Sequence, residues 1–152
     1  MVVRKKAEDQ EKVLEKKDTS KKEYIHAVGR RREAVARVRL YKEKGGQFMV
    51  NGKPAEEYFP LLSQRVLYEQ PFEVTGTQGN FTVTIKVEGG GPMGQLEAVV
   101  HGISRALVKY DKENFRPVLK KHKLLTRDSR IRQRRMIGMG GKSRRRKQSP
   151  KR

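Results

Sequence analysis

The last 33 residues limit the fold most, because they cannot build a hydrophobic core. Residues 120–152 carry 15 lysine and arginine side chains against one acid, a net charge of +14. Glycines lower the helix propensity midway, and the stretch has almost no hydrophobic residues with which to dock on its own domain. We therefore expect 120–152 to be an extended basic tail, whose final 25 residues could reach roughly 80 Å at about 3.3 Å per residue.

The other 119 residues divide into two segments of different character. Residues 1–23 are almost all charged or polar and have one internal apolar pair, Val13-Leu14, so we expect a mostly disordered extension. Residues 24–119 hold 14 basic and 10 acidic side chains, which is ordinary for a globular domain. The whole chain carries a formal charge of +20, which favours a polyanionic partner. Nucleic acid is the first candidate and an anionic membrane surface the second.

Hydrophobic periodicity in 24–119 predicts an α+β domain. Period-two alternation places Ala34, Ala36, Val38 and Leu40 on the core side of a strand, and helical spacing from Gln95 predicts a long helix whose polar side carries His101, Arg105 and Lys109. The predicted strands are 24–28, 34–41, 48–50, 72–74 and 81–87, and the predicted helices are 54–59, 61–67, 95–110 and 114–121. This order indicates a small domain with a helix packed on a sheet.

The segment Gly89–Gly94 matches the pattern G-x-G-x-x-G between a strand and a helix. A dinucleotide site would need an acid at the end of a second parallel strand, whereas Asp111 directly follows the predicted helix. The segment is therefore a turn that permits close packing of strand and helix, or a helix N-terminus that offers N–H groups to a phosphate.

The sequence contains no pattern typical of an enzyme. It has no cysteine, and His26, His101 and His122 are too far apart in sequence to form a metal-ligand pair. The serines lie in no nucleophile motif, and no run of eighteen apolar residues could span a bilayer. We expect no catalytic activity, no metal, no cofactor, no small-molecule substrate and no membrane association.

Two basic features remain as binding candidates. Arg30–Arg32 with Arg37 and Arg39 lie on an exposed part of the predicted sheet, where guanidiniums can bind phosphates bidentately, although solvated surface charge is the alternative. The second feature is the tail, thin enough to enter spaces between RNA helices.

Several short motifs in fixed order resemble the ribosomal protein S-nine family of the small subunit, in its bacterial form. They cover about 85% of the chain, from Tyr24 to Arg152: Gly29–Val38, Asn51–Lys53, Tyr58-Phe59, Gly89–Gly91 with Gly94-Gln95, His101–Leu107, Leu124–Asp128 and the final Lys151-Arg152. The match departs from the family pattern at Ser129, at Gln133, at an extra residue near Gly138–Gly141 and at Ser149-Pro150, where an aromatic residue is usual.

The resemblance implies a fold like the second domain of ribosomal protein S-five, including a left-handed βαβ crossover. It implies binding to small-subunit ribosomal RNA in the head, near proteins S-seven, S-ten and S-fourteen. It also implies that the tail reaches the P site, where Lys151 and above all Arg152 contact the tRNA. The residues expected to bind ribosomal RNA are Arg30, Arg31, Arg32, Arg37, Arg39, Lys120, Lys121, Lys123, Arg127, Arg130, Arg132, Arg134, Arg135, Lys142, Arg144, Arg145 and Arg146.

The sequence thus predicts a structural component of a cytoplasmic ribosome. The acids of residues 1–23 argue against an organelle transit peptide. The alternative is a free-standing, architectural nucleic-acid-binding protein.

Overall fold

The computed structural model describes residues 23–43, 45–134 and 137. The strands are β1 (Tyr24–Arg31), β2 (Ala34–Tyr41), β3 (Phe48–Val50), β4 (Lys53–Pro54) and β5 (Thr82–Glu88). The helices are α1 (Ala55–Tyr58), α2 (Leu62–Thr75), α3 (Pro92–Tyr110) and α4 (Lys112–Lys121). The predicted α+β class is confirmed. The extension predicted for 1–23 lies, except for Glu23, outside the described residues.

The strands form one mixed sheet in the order β1-β2-β5-β3-β4. Strands β1, β2 and β5 are antiparallel neighbours, and β3 runs parallel to β5. The parallel pair needs a long connection, and this connection contains β4, α1 and α2. The turn between β3 and β4 is Asn51-Gly52, whose φ angles of 50° and 80° are those that make Asn-Gly the preferred hairpin turn.

In strand β2 the alternation in the sequence corresponds to alternating burial. Ala34, Ala36, Val38 and Leu40 are at most 1% exposed, as predicted. They face helix α3, which packs across β1 and β2. The residues between them point to the opposite side of the sheet, so the pleat sorts core residues from surface residues.

Helix α3 supplies the other half of the core. Leu96, Val99, Ile103 and Leu107 are completely buried, as their helical spacing predicts. The helix begins three residues before the predicted Gln95, because Pro92 has a fixed φ suited to the first helical turn and needs no N–H partner there.

The glycine loop before α3 makes a close backbone approach, although not the approach of strand to helix that was predicted. Gly89 and Gly90 have φ angles of 74° and 64°, and a Cβ atom on Gly89 would lie 2.5 Å from the carbonyl oxygen of Glu33. The close contact is with the turn between β1 and β2 rather than with a helix. The glycines are therefore required by packing.

Helix α2 corrects two predictions. The predicted helix 61–67 is longer, and the predicted strand 72–74 is wrong, because one helix runs from Leu62 to Thr75. It passes through Pro71, which removes one helical hydrogen bond but does not end the helix. Phe72 is buried and packs edge-to-face on Phe48 at 6.5 Å, which holds the last turns of the helix against the sheet. Gly76, with φ of 65°, ends the helix.

Candidate nucleic-acid interface

One face of the sheet is open to solvent, since none of the described helices packs on it. The helices cover the other face, and the cross-strand register aligns side chains in rows on the open one. Val28, Arg37 and Lys86 form one row, and His26 and Arg39 lie in the next with Thr84. We call this surface the outer sheet face, and its cations come from three neighbouring strands.

Arg37 and Arg39 lie on the outer sheet face, where the sequence predicted them. Arg37 is loosely paired with Glu88 at 3.6 Å, and Lys86 lies 3.1 Å from the same carboxylate. The hydrogen bond and charge of Lys86, with the charge of Arg37, lower the pKa of Glu88 below its ordinary value. One carboxylate is shared by two cations, so the row keeps an excess of positive charge.

Arg39 adds aromatic surface to this charge. Its guanidinium carbon lies 5.2 Å from the ring centre of Tyr24, and the rings of Tyr24 and Tyr41 are 5.7 Å apart. An arginine beside two tyrosines can hold a phosphate and offer a surface on which an unpaired base stacks.

The three consecutive arginines at the end of β1 have different surroundings. Arg30 is exposed on the outer sheet face, and its backbone N–H donates to Nδ1 of His101 at 3.4 Å. Arg32 is exposed in the two-residue turn to β2, with φ of 51°. Arg31 points to the opposite side of the strand and is only 8% exposed. Strand alternation therefore removes the middle arginine from the predicted patch.

Arg31 uses all three of its guanidinium nitrogens within the protein. Nε donates to the carboxylate of Glu97 in a short contact, and Nη2 lies 3.0 Å from Oδ2 of Asp128. Nη1 donates to the carbonyl oxygens of Asp128 at 3.3 Å and Arg130 at 2.7 Å. That Arg31 binds RNA phosphates stays a prediction, and the engaged donors and buried side chain of Arg31 argue against it.

Polar side chains of α3 cover the free edge of β1. Lys109 Nζ donates to the carbonyl oxygen of His26 at 2.6 Å, and Arg105 donates to that of Val28. His101 accepts from Arg30 one turn earlier. These three side chains, spaced four residues apart, were predicted only to lie on the polar side of the helix. Their contacts satisfy backbone groups that an edge strand leaves open to pairing with another chain.

The tail begins at the C-terminal end of helix α4. Helix α4 runs through Lys120 and Lys121, which agrees with the predicted helix 114–121 and corrects the extended course expected from residue 120. Leu124 N–H donates to the carbonyl of Leu119 at 3.1 Å, and Lys123 N–H donates to that of Lys120 at 3.0 Å. With Lys123 at φ of 57°, this pattern is a Schellman motif, which reverses the chain after the helix.

The first tail residues dock on the domain, which the sequence did not predict. Leu124 and Leu125 pack against the core, and His101 makes a backbone hydrogen bond with Leu125. Burial, with the positive charges of Arg105 and Arg127, lowers the pKa of His101. Since Nδ1 accepts from Arg30, the neutral imidazole joins the edge of β1 to the start of the tail.

Beyond this docked segment the cations face solvent. Asp128 pairs with Arg130 at 2.8 Å, and hydrogen bonds from Arg130 hold the pKa of Asp128 far below its ordinary value. The predicted RNA-binding residues that are exposed on α4 and the tail are Lys120, Lys121, Lys123, Arg127, Arg130, Arg132 and Arg134. The domain has further exposed cations that were not among the predicted RNA-binding residues, among them Lys86, Lys112 and Arg116. The alternation of β5 in the sequence already places Lys86 outward.

The layer formed by α1 and α2 has the opposite charge balance. Residues 53–75 hold four glutamates against Lys53 and Arg65. Arg65 lies 2.8 Å from Glu56 and 2.9 Å from Glu69, so its charge is compensated. The described domain is therefore polarised, with the positive charge on the outer sheet face, α4 and the tail.

The sequence matches the family described as ribosomal protein S9/S16 over residues 29–152. The chain belongs to the ribosomal protein S9/S16 family. It is 48% identical over 120 residues to "Small ribosomal subunit protein uS9" of Maridesulfovibrio salexigens, which covers 79% of this chain and 91% of that protein. It is 49% identical over 119 residues to the protein of the same name from Solidesulfovibrio magneticus, covering 78% and 90%.

The match to the ribosomal protein S9/S16 family extends through the whole basic tail. Several predicted contact residues in that tail lie outside the described residues: Arg135, Lys142, Arg144, Arg145, Arg146, Lys151 and Arg152. Within the described ranges, no cluster of three or more His, Asp and Glu side chains could hold a metal ion. None of the described helices is long and apolar enough to cross a membrane.

Proposed function

We propose that this chain is a structural constituent of the small ribosomal subunit and acts in translation in the cytoplasm. Membership of the ribosomal protein S9/S16 family and the names of its relatives support this role. Catalysis is no part of the proposal.

The proposed partner is small-subunit ribosomal RNA in the head. The observation that carries this proposal is the open, basic outer sheet face, in which Arg37, Arg39 and Lys86 line adjacent strands and the exposed ring of Tyr24 lies beside Arg39. Contacts of this kind bind phosphates and fix position without reading base sequence. The exposed cations of the tail add to this charge.

The resemblance to the S-nine family also supports proposals about residues that the structure does not describe. We place Lys151 and Arg152 at the P-site tRNA, and proteins S-seven, S-ten and S-fourteen as neighbours. We also propose that the domain has the same fold as the second domain of ribosomal protein S-five. The βαβ unit formed by β3, the α1–α2 connection and β5 is where its left-handed crossover would lie.

Sedimentation of the tagged full-length chain from lysate tests the main proposal. We expect the chain to travel with small subunits at moderate salt, and failure to do so would overturn the ribosomal role. Equal binding to duplex DNA and to ribosomal RNA, without sedimentation with subunits, would instead favour a free architectural protein.

The salt dependence of RNA binding tests the electrostatic part. If about 6–10 phosphates are neutralised, affinity for free RNA should fall about 10³–10⁵-fold between 50 and 200 mM salt. A flat salt response would contradict phosphate binding by the tail.

Deleting Lys151-Arg152 tests the tail tip. We expect normal incorporation into subunits and weaker retention of P-site tRNA, measured by filter binding on purified subunits. Unchanged retention would count against a tRNA contact by these two residues.

A further inference from the structure

Arg31 differs from the other four arginines of the described domain that were predicted to bind RNA, because its side chain contacts the tail of the same chain. It is 8% exposed and bridges two carboxylates, Glu97 on α3 and Asp128 at the start of the tail. It also donates to two backbone carbonyls of the tail, those of Asp128 and Arg130. A planar guanidinium with five donors can make all these contacts at once, whereas a lysine ammonium cannot.

The bridge holds the backbone of the tail and the carboxylate of Asp128, while the neighbouring arginine side chains stay exposed. The guanidinium of Arg31 reaches the carbonyls on either side of Ser129, and Arg127, Arg130 and Arg132 remain exposed. A buried contact to the main chain fixes the course of the chain while the outer cations stay available to phosphates.

Arg31 is itself held on a rigid element. It is the last residue of β1 and pairs with Ala34, which is completely buried. Glu97 holds the same guanidinium from α3. A group held from two core elements is suited to set the direction of a flexible segment.

We propose that Arg31 is a positioning residue that fixes the direction in which the basic tail leaves the domain. The proposal rests on the proposed function, in which the tail binds ribosomal RNA. Pre-ordering residues 128–130 removes part of the entropy cost of placing the tail against RNA.

A distance measurement on the full-length chain tests the bridge directly. The protein has no cysteine, so cysteines at Ser129 and at the exposed Glu73 of α2 would be the two labelling sites for nitroxides. We expect a narrow distance distribution in the parent and a broad one in Arg31→Met. Arg31→Lys should also broaden the distribution, because one ammonium group cannot replace the several donors of the guanidinium. The matched control is Arg30→Met, which removes a neighbouring exposed charge and should leave the distribution narrow.

The same variants test whether fixing the direction of the tail contributes to RNA affinity. For Arg31→Met we expect about tenfold weaker binding to small-subunit RNA, from the added ordering cost. If Arg31→Met unfolds the domain, judged by circular dichroism, Asp128→Asn provides a second way to weaken the bridge and should also broaden the distribution.

Each outcome has a defined meaning. A broad distribution in the parent, or a narrow one in both Arg31→Met and Asp128→Asn, would overturn the positioning role. Broadening with unchanged RNA affinity would overturn its part in RNA binding. If the parent does not travel with small subunits, the proposed function fails, while the distance measurement still decides whether Arg31 fixes the tail.

Discussion

Gly29 of β1 and Gly102 of α3 face each other across the contact between sheet and helix. A Cβ atom on Gly29 would lie 1.8 Å from the carbonyl oxygen of Ala98 and 2.4 Å from the backbone nitrogen of Gly102. One on Gly102 would lie 2.7 Å from a methyl carbon of Val38. Because backbone atoms cannot move aside as a side chain can, this approach requires glycine at position 29. The same approach lets α3 reach the edge of β1 with Arg105 and Lys109.

We predict that Gly29→Ala destabilises the domain by about 3 kcal/mol or more, since the added methyl group overlaps backbone atoms. Gly94→Ala, in α3, is the control. A Cβ atom there would make only ordinary contacts at 3.9 Å. It should be neutral or stabilise the fold by up to ~1 kcal/mol, because alanine has the higher helix propensity. Urea unfolding midpoints measure both effects, and equal midpoints would contradict the close approach.

A second prediction concerns which face binds RNA. Arg37→Ala should reduce the slope of log affinity against log salt by about 0.7–0.9, the amount expected for one lost phosphate contact. Arg65→Ala removes an arginine of similar exposure from α2 and should leave the slope unchanged. Titration of a small-subunit RNA fragment at several salt concentrations measures the slopes. Similar losses in the two variants would show that the outer sheet face is not the binding surface.

The regular elements were predictable because their residue pattern is local. In β2 and β5 every second residue is buried, and in α3 the buried residues recur at helical spacing. Helix α2 was harder to predict, because Pro71 suggests a break and Phe72–Val74 is rich in residues that favour strands. Packing of Phe72 against Phe48 outweighs that local preference.

The interface residues were predictable only where the alternation of a single strand determines which way their side chains point. Alternation in β2 places Arg37 and Arg39 outward without further information. The role of Arg31 depends on Asp128, almost one hundred residues away, and no single-sequence pattern joins the two. The contact of His101 with Arg30 is of the same kind, since it needs α3 to lie along the edge of β1.

A third prediction concerns pH. Burial lowers the pKa of His101, so the folded protein resists protonation that the unfolded chain accepts near pH 6.5. The unfolded state then binds more protons, and stability must fall as the pH drops below about 6.5. His101→Gln removes this titration, so its unfolding free energy should change less between pH 7 and 5.5 than that of the parent. Identical pH profiles, measured by urea unfolding, would contradict the neutral, bridging histidine.

The last prediction separates the two contributions of Lys123, backbone conformation and charge. Its φ of 57° at the end of α4 is unfavourable for any residue with a Cβ atom. Lys123→Gly should therefore stabilise the fold by about 0.5–1 kcal/mol, whereas Lys123→Ala keeps the unfavourable backbone and should not. Both variants lose the same charge, so both should reduce the salt slope of RNA binding by about 0.7–0.9 if Lys123 contacts a phosphate. Urea unfolding and RNA titration on the same samples give both quantities. Equal stability of the two variants would contradict the helix end described above, and an unchanged salt slope in both would remove Lys123 from the interface.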